Sequence, residues 1–279
     1  MTKLLETDLY RLIDCRHGRF LINPNDRYMG QSMLTYGEYS ELEWTLLDQL
    51  VPKNGIVIEA GANMGTFTVP LAKKAGANGL VYAFEPQTIL FQQLCANLAL
   101  NDLVNVQACN AGCGAKEEWL PVVRLNPATV NNFGGVSLEL LSGKSQTRVR
   151  VERLDDALDP PRLDLIKADV EGMELDVLQG AAELIAKFRP TLYLEAHDDD
   201  APALITHLQE LEYDLHWHLP PMYNPANHFG EAKNIFGQII SFNMLATPTE
   251  RAVNVNGARK VAGPDDHPKH WGEPGDLIR

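Results

Sequence analysis

The sequence predicts a Rossmann-like α/β fold: a mainly parallel, seven-stranded sheet with helices on both faces and an antiparallel hairpin at one edge. Three observations point to it. Short apolar, β-branched runs alternate with helical stretches from Ile56 onward, the pattern of a parallel sheet. The first run ends in a glycine-rich turn, Glu59-Ala60-Gly61-Ala62-Asn63-Met64-Gly65. The last two runs follow each other without a strong helix between them, which suits an antiparallel pair better than a crossover.

Each element has its own warrant. Residues 1–50 mix apolar and polar positions, with a helix expected over 40–50 and punctuation at Pro52, Asn54 and Gly55. A strand over Ile56–Ala60 leads through the glycine turn into a helix over 66–75. Leu80–Phe84 reads as the second strand. In the helix over Thr88–Leu100, Ile89, Leu90, Leu94 and Leu98 make one apolar face. A third strand spans 104–109. Residues 110–147 are rich in Gly, Asn and Ser and break the rhythm, with a strand near 119–123. Alternation resumes with a strand over 163–168, a helix over 174–188, a strand over 191–196 and a helix over 201–211. Strands over 213–217 and 238–245 close the sheet. The expected organisation is an N-terminal extension (1–50) packed on a Rossmann-like domain (51–246) with an insert at 110–147. A tail (247–279), rich in Pro, Gly and charge, is expected to be mobile or draped on the surface.

Composition narrows the partners. The net charge of −13 argues against nucleic acid, whose binding needs clustered Lys and Arg. No apolar run approaches the ~18 residues of a membrane span, and the acidic start does not resemble a secretory signal, so a cytoplasmic protein is expected. Cys15, Cys95, Cys109 and Cys113 form no zinc-type spacing and read as buried free thiols. A homodimer is left open.

The glycine turn discriminates between cofactors. A dinucleotide fingerprint would place Gly at position 63 and again at 66, where Asn63 and Thr66 stand, and Glu59 would repel a pyrophosphate. S-adenosylmethionine instead carries an ammonium and a sulfonium, which suit an acid there. Glu85, closing the second strand before Pro86, suits both ribose hydroxyls, and Asn110-Ala111 at the end of the third strand suits the adenine edge. Gly61, Asn63 and Gly65, with Asp169 after the fourth parallel strand, belong to the expected cofactor set.

These residues resemble the FkbM family of methyltransferases. The stretches concerned are 56–72, 81–87, 97–106, 163–181 and 189–197, with Asp169-Val170-Glu171-Gly172-Met173-Glu174 the most specific piece. The resemblance implies a class I methyltransferase sheet, S-adenosylmethionine as donor, and O-methylation of a hydroxyl on a sugar, polyketide or related metabolite. It also implies that Gly37-Glu38 lies beside the cofactor. Glu59 departs from the family's usual Asp. The insert containing Asn131-Asn132-Phe133-Gly134-Gly135-Val136-Ser137, together with residues 217–243, would set acceptor specificity.

For the chemistry, Asp169 and Glu171 follow the fourth parallel strand, while Glu195 and His197 share one side at the end of the fifth if it stays extended. His197 or Asp169 is the expected general base. Asp169, Glu195 and His197 are also compatible with Mg²⁺ or Mn²⁺. Each residue has a plainer reading: Asp169 as helix cap, Glu171 and Glu174 as acids at a helix start, Glu195 as partner of Lys167. His216 and His218 look like a metal pair yet fit alternate strand positions. Tyr223 and Phe229 are candidates for a lid over the acceptor. The competing functions are an N-methyltransferase, a nicotinamide-dependent oxidoreductase and a non-catalytic binding module.

Overall fold

A computed structural model describes residues 3–135, 147–251 and 258–271. The chain opens with an antiparallel sheet of β1 (Lys3–Glu6), β2 (Arg11–Cys15) and β3 (Gly18–Ile22). Helices α1 (Met29–Tyr36) and α2 (Glu41–Leu50) follow. The alternating core then begins: β4 (Ile56–Ala60), α3 (Thr68–Ala75), β5 (Leu80–Phe84), α4 (Thr88–Leu100) and β6 (Val106–Cys109). Out of the insert come β7 (Gly112–Cys113), β8 (Glu118–Val122) and β9 (Thr147–Glu152), a small sheet in the order β7-β9-β8. After the short α5 (Leu154–Ala157) run β10 (Leu165–Ala168), α6 (Glu174–Gly180), α7 (Ala182–Phe188), β11 (Thr191–Glu195) and α8 (Ala201–Glu210). Last are β12 (Tyr213–His218), β13 (Asn243–Pro248) and β14 (Arg259–Lys260).

The main sheet has the order β14-β12-β13-β11-β10-β4-β5-β6, with β13 antiparallel to both β11 and β12. This is the expected parallel sheet with its antiparallel edge, and the tail adds the two-residue β14 beyond it. Every residue of β4 is buried; Ile56, Ile58 and Ala60 enter one core cluster and Val57 the other. Such a strand is covered on both faces, which is why it is apolar at every position but Glu59. The chain turns one way from β4 to β5 and the other way at β10, so a ligand crevice opens between them at the carboxyl ends. Register then levels the site. Ala60 pairs with Phe84 and with Ala168, and Ala168 with Leu194. Gly61, Glu85, Asp169 and Glu195 therefore leave the sheet side by side.

Several expectations change. The helix over 174–188 breaks at Ala181, which leaves the helical region at φ −111°; just before it, Gly180 lies so close to the Gly114 carbonyl that a Cβ would stand 2.0 Å from its oxygen. The strand expected from 238 starts at Asn243 and runs past Thr247; Ile239 is exposed, and Ile240 instead bridges Pro221. Cys95 is exposed rather than buried. Val136 and Ser137 of the insert, and residues 252–257 and 272–279 of the tail, lie outside the described residues. The rest of the tail folds back, with Asp266 accepting the indole N–H groups of Trp217 and Trp271. Asn97 on α4 anchors the N-terminal sheet: its Oδ1 accepts the Leu21 N–H and its Nδ2 donates to the Met64 carbonyl. No helix among the described residues is long and apolar enough to cross a membrane.

Candidate active site

The glycine turn after β4 holds two backbones in contact. Gly61 has φ +85°, and a Cβ there would stand 1.9 Å from the Asp169 carbonyl oxygen. Only glycine permits both the positive φ and this approach. Asn63 also takes the left-handed conformation, with its N–H donated to Glu85 Oε2 at 2.9 Å; Gln87 N–H goes to the other oxygen at 2.7 Å. Two backbone amides thus fix the Glu85 carboxylate, while burial pushes its acid up to about 7.

A cavity of about 270 Å³ opens above these strand ends. Its floor is a buried charge cluster. Lys167, on β10, is 1% exposed, with Nζ 3.3 Å from Asp169 Oδ2 and 4.8 Å from the centre of the Phe67 ring. Burial disfavours its ammonium, but Asp169, Glu43 and Glu59 outweigh that and leave the pKa raised. Glu59 does not face the cavity; it accepts from Thr68 Oγ at 2.6 Å, and burial raises it to about 7, as it does Glu43. Asp26 lines the other wall. It is 2% exposed, and among the described residues its Oδ2 has no hydrogen-bond partner.

At the far end stand Glu171, Glu195 and His197. His197 Nε2 lies 3.1 Å from Glu195 Oε2 and 3.5 Å from Glu171 Oε2, so the expected convergence of Glu195 and His197 occurs. The flanking carboxylates of Glu171 and Glu195 hold His197 far above the usual imidazole range, at about 11. An imidazolium cannot accept a proton, so His197 in this state is not the neutral-pH base that sequence reasoning expected. Glu171 joins this cluster where Asp169 was expected; Asp169 turns to Lys167 instead. Nor does Asp169 cap the next helix: the Glu174 carboxylate closes that loop by accepting the N–H groups of Val170 and Gly172.

A narrower slot of about 50 Å³ adjoins the cavity and shares Gly61, Glu85 and Asp169 with it. Its walls are Pro86, Leu90, Cys113, Val170 and Met173. Among the expected cofactor residues Pro86 is there, but Asn110 and Ala111 are not. The Asn110 carboxamide donates to the carbonyls of Glu85 and Pro86 and so holds the turn. Gly65 lines neither space; its φ of +90° and the nearness of Leu94 make it a packing glycine. Glu38 is also off the cavity. Its carboxylate is taken up by Arg16 Nε at 2.6 Å, His228 N–H at 2.8 Å and Asn224 Nδ2 at 2.8 Å, tying the 224–228 loop to the N-terminal sheet.

Tyr223 and Phe229 do not reach the cavity either. Tyr223 stacks on Tyr36 and Phe229 covers Gly37, while Met222 and residues 239–243 supply that wall. His218 is bonded to the Tyr193 hydroxyl at 2.7 Å, and burial lowers it to about 4, so the His216/His218 pair is accounted for by strand alternation. Asp26, Glu43 and Tyr39 are site residues that the sequence did not announce. The one available signal was the polar turn Asn23-Pro24-Asn25-Asp26 ahead of a helix.

Comparison with known proteins gives a consistent picture. Residues 59–215 match the family model described as the methyltransferase FkbM domain. Methyltransferase sdnD of Sordaria araneosa is 31% identical over 163 residues, covering 48% of this chain and 62% of that protein. Methyltransferase 1 of Beauveria bassiana is 28% identical over 148 residues, covering 46% and 59%. The chain thus spans about three-fifths of the length of these curated relatives. Among solved structures, methyltransferase FkbM from Methylobacillus flagellatus is 19% identical, covering 69% of this chain and 44% of that one, with TM-score 0.48. SMU.1697c from Streptococcus mutans, solved with SAH, is 17% identical, covering 74% and 96%, with TM-score 0.44.

Proposed function

The chain belongs to the FkbM methyltransferase family, and from that premise we propose that it transfers the methyl group of S-adenosylmethionine to a hydroxyl of a small metabolite or sugar. The observation that carries this reading is the charge of the cavity. Asp26, Glu43, Glu85, Asp169, Glu171 and Glu195 line it, against the single lysine Lys167 and His197. Such a site favours a donor with a sulfonium and an ammonium and disfavours a dinucleotide's pyrophosphate.

Residue roles follow from chemistry. The apolar slot of Pro86, Leu90, Cys113, Val170 and Met173 suits adenine, and Glu85 at its mouth suits the ribose hydroxyls. Asp26, buried with an unpaired oxygen, suits the α-ammonium. When bound, the donor supplies a methyl carbon already activated by sulfur. The protein's part is to align an acceptor oxygen in line with the S–CH₃ bond and to take its proton. The O–CH₃ bond forms as the S–CH₃ bond breaks, the electron pair stays on sulfur, and the hydroxyl proton passes to a cavity carboxylate. Asp169 suits that role: it is 40% exposed and, among the described residues, ion-paired to Lys167.

Titration calorimetry tests the donor. Micromolar binding of S-adenosylmethionine and S-adenosylhomocysteine, lost in Glu85→Ala, is the expected result; binding of NADH alone would overturn the reading. A methyl ether formed on a hydroxylated acceptor supports O-transfer, and methylation of amines alone refutes it.

A further inference from the structure

The methyl-transfer reading leaves Glu171, Glu195 and His197 with no assigned ligand. We propose that these three side chains form a binding site for a divalent cation of the manganese type, open toward the cavity where the acceptor oxygen would sit. The proposal deepens the methyl-transfer reading, but its metal-binding part can be tested without turnover.

Geometry comes first. One ligand atom from each residue lies within 4.8 Å of the other two. His197 Nε2 stands 3.1 Å from Glu195 Oε2 and 3.5 Å from Glu171 Oε2. Around a cation with bonds of about 2.1 Å, ligands at right angles are about 3 Å apart, so these separations match adjacent positions of one octahedron. A second observation comes from Glu195. Its Oε2 is buried and, among the described residues, has the His197 imidazole nitrogen at 3.1 Å as its ion-pair neighbour and no other polar partner.

The three ligands are held from behind. Glu195 ends β11, and His267 Nε2 is within 3.1 Å of the Ala196 carbonyl, which steadies the backbone between Glu195 and His197. Glu171 sits at φ +57° in a loop that Glu174 clamps through the N–H groups of Val170 and Gly172. Chemistry selects the ion. Two carboxylates and one imidazole make an oxygen-rich set with a single nitrogen, which suits Mn²⁺ better than the thiol- or imidazole-rich sets suit it. Two carboxylates balance a dication once the incoming cation has displaced the proton from the His197 imidazolium. All three residues line the cavity, so the remaining coordination positions face the acceptor, whose hydroxyl a cation would make more acidic.

The test uses the full chain, stripped with chelator and titrated with Mn²⁺ while free Mn²⁺ is followed by electron paramagnetic resonance. One site of micromolar affinity is expected. Glu195→Gln and His197→Ala should each weaken it at least tenfold, whereas Asp199→Asn, an exposed neighbour, should change it less than twofold. S-adenosylhomocysteine binding by each variant reports folding. Absence of Mn²⁺ binding by a wild-type protein that binds S-adenosylhomocysteine overturns the cation site and leaves the methyl-transfer reading intact. Wild-type Mn²⁺ affinity in both ligand variants overturns it equally. Mn²⁺ binding without any adenosyl ligand supports the cation site and refutes the methyl-transfer reading.

Discussion

Asp26→Asn should make the protein more stable and a poorer binder of S-adenosylmethionine. Asp26 Oδ1 accepts the Tyr28 N–H at 3.2 Å, while Oδ2 is buried without a partner among the described residues. Burial raises the acid from 3.8 to about 6, even though the N–H groups of Tyr28, Gly30 and Met29 pull the other way. The folded pKa exceeds the unfolded one, so the folded state holds the proton more tightly. Ionisation therefore costs nothing below about pH 4, costs progressively more between pH 4 and 6, and reaches its full value above that. Two units at about 1.4 kcal/mol each give roughly 3 kcal/mol as the ceiling. Asn keeps the bond to Tyr28 and carries no charge, so it removes this cost. In a chain of this size each kcal/mol moves Tm by about 2–4 °C, which makes a rise of several degrees at pH 8 and little change at pH 4. The same substitution removes the proposed partner of the α-ammonium. A hydrogen bond to a charged group contributes about 1.5–3 kcal/mol, so affinity for S-adenosylmethionine should fall roughly ten- to a hundredfold. 5′-Methylthioadenosine, which has no ammonium, should bind as before. Thermal melts at the two pH values and calorimetry with the two ligands provide the check. A lower Tm at pH 8 together with unchanged affinity would refute both halves of the reasoning.

Lys167→Met strands the carboxylates of Asp169, Glu43 and Glu59 without their buried cation; a loss of about 3–5 kcal/mol, measured by urea unfolding at pH 8, is expected. Gly61→Ala pushes a methyl group against the Asp169 carbonyl at a positive φ, and should abolish adenosyl-ligand binding or fold only with a lowered Tm. Because burial raises Glu85 and Glu43 to about 7, a bound cationic donor should draw them back to the ionised form. Binding at pH 7 should then release protons, seen as a calorimetric enthalpy that depends on the buffer, and more for S-adenosylmethionine than for its homocysteine product. Binding enthalpies that are the same in every buffer would contradict this.

The strand pattern was legible because β4, β5, β10 and β11 bury both faces and so appear as short, mainly apolar runs, broken inside the strand only by Glu59 and Lys167. Gly61 and Glu85 were legible for the same reason: the end of a strand is where a ligand meets the sheet. What stayed hidden depended on contacts between distant segments. Glu38 and Asp26 stand 12 positions apart in similar polar surroundings. One is saturated by Arg16 and the 224–228 loop, whereas the other keeps a free oxygen inside the cavity. No local pattern distinguishes them. The strand expected from 238 began late because Ile239 and Ile240, apolar in sequence, border the cavity wall rather than the sheet.

The structure moves the case against a dinucleotide to different residues. Sequence reasoning set Glu59 against the pyrophosphate, yet Glu59 points beneath the turn, bonded to Thr68 and within the field of Lys167. The repulsion comes instead from Glu85, Asp169 and Asp26, whose carboxylates line the cavity itself. Glu59 acts one layer down. With Glu43 it holds Lys167 charged inside the core, and Lys167 in turn holds Asp169 at the strand end. A buried ammonium with a single carboxylate neighbour would bear a large desolvation cost, and three acids offset it. The longer Glu at position 59, where the family resemblance implies Asp, thus serves the lysine rather than the ligand. Glu59→Asp should therefore lower stability more than it changes donor affinity, and a donor affinity that falls while Tm holds would show that position 59 does reach the ligand.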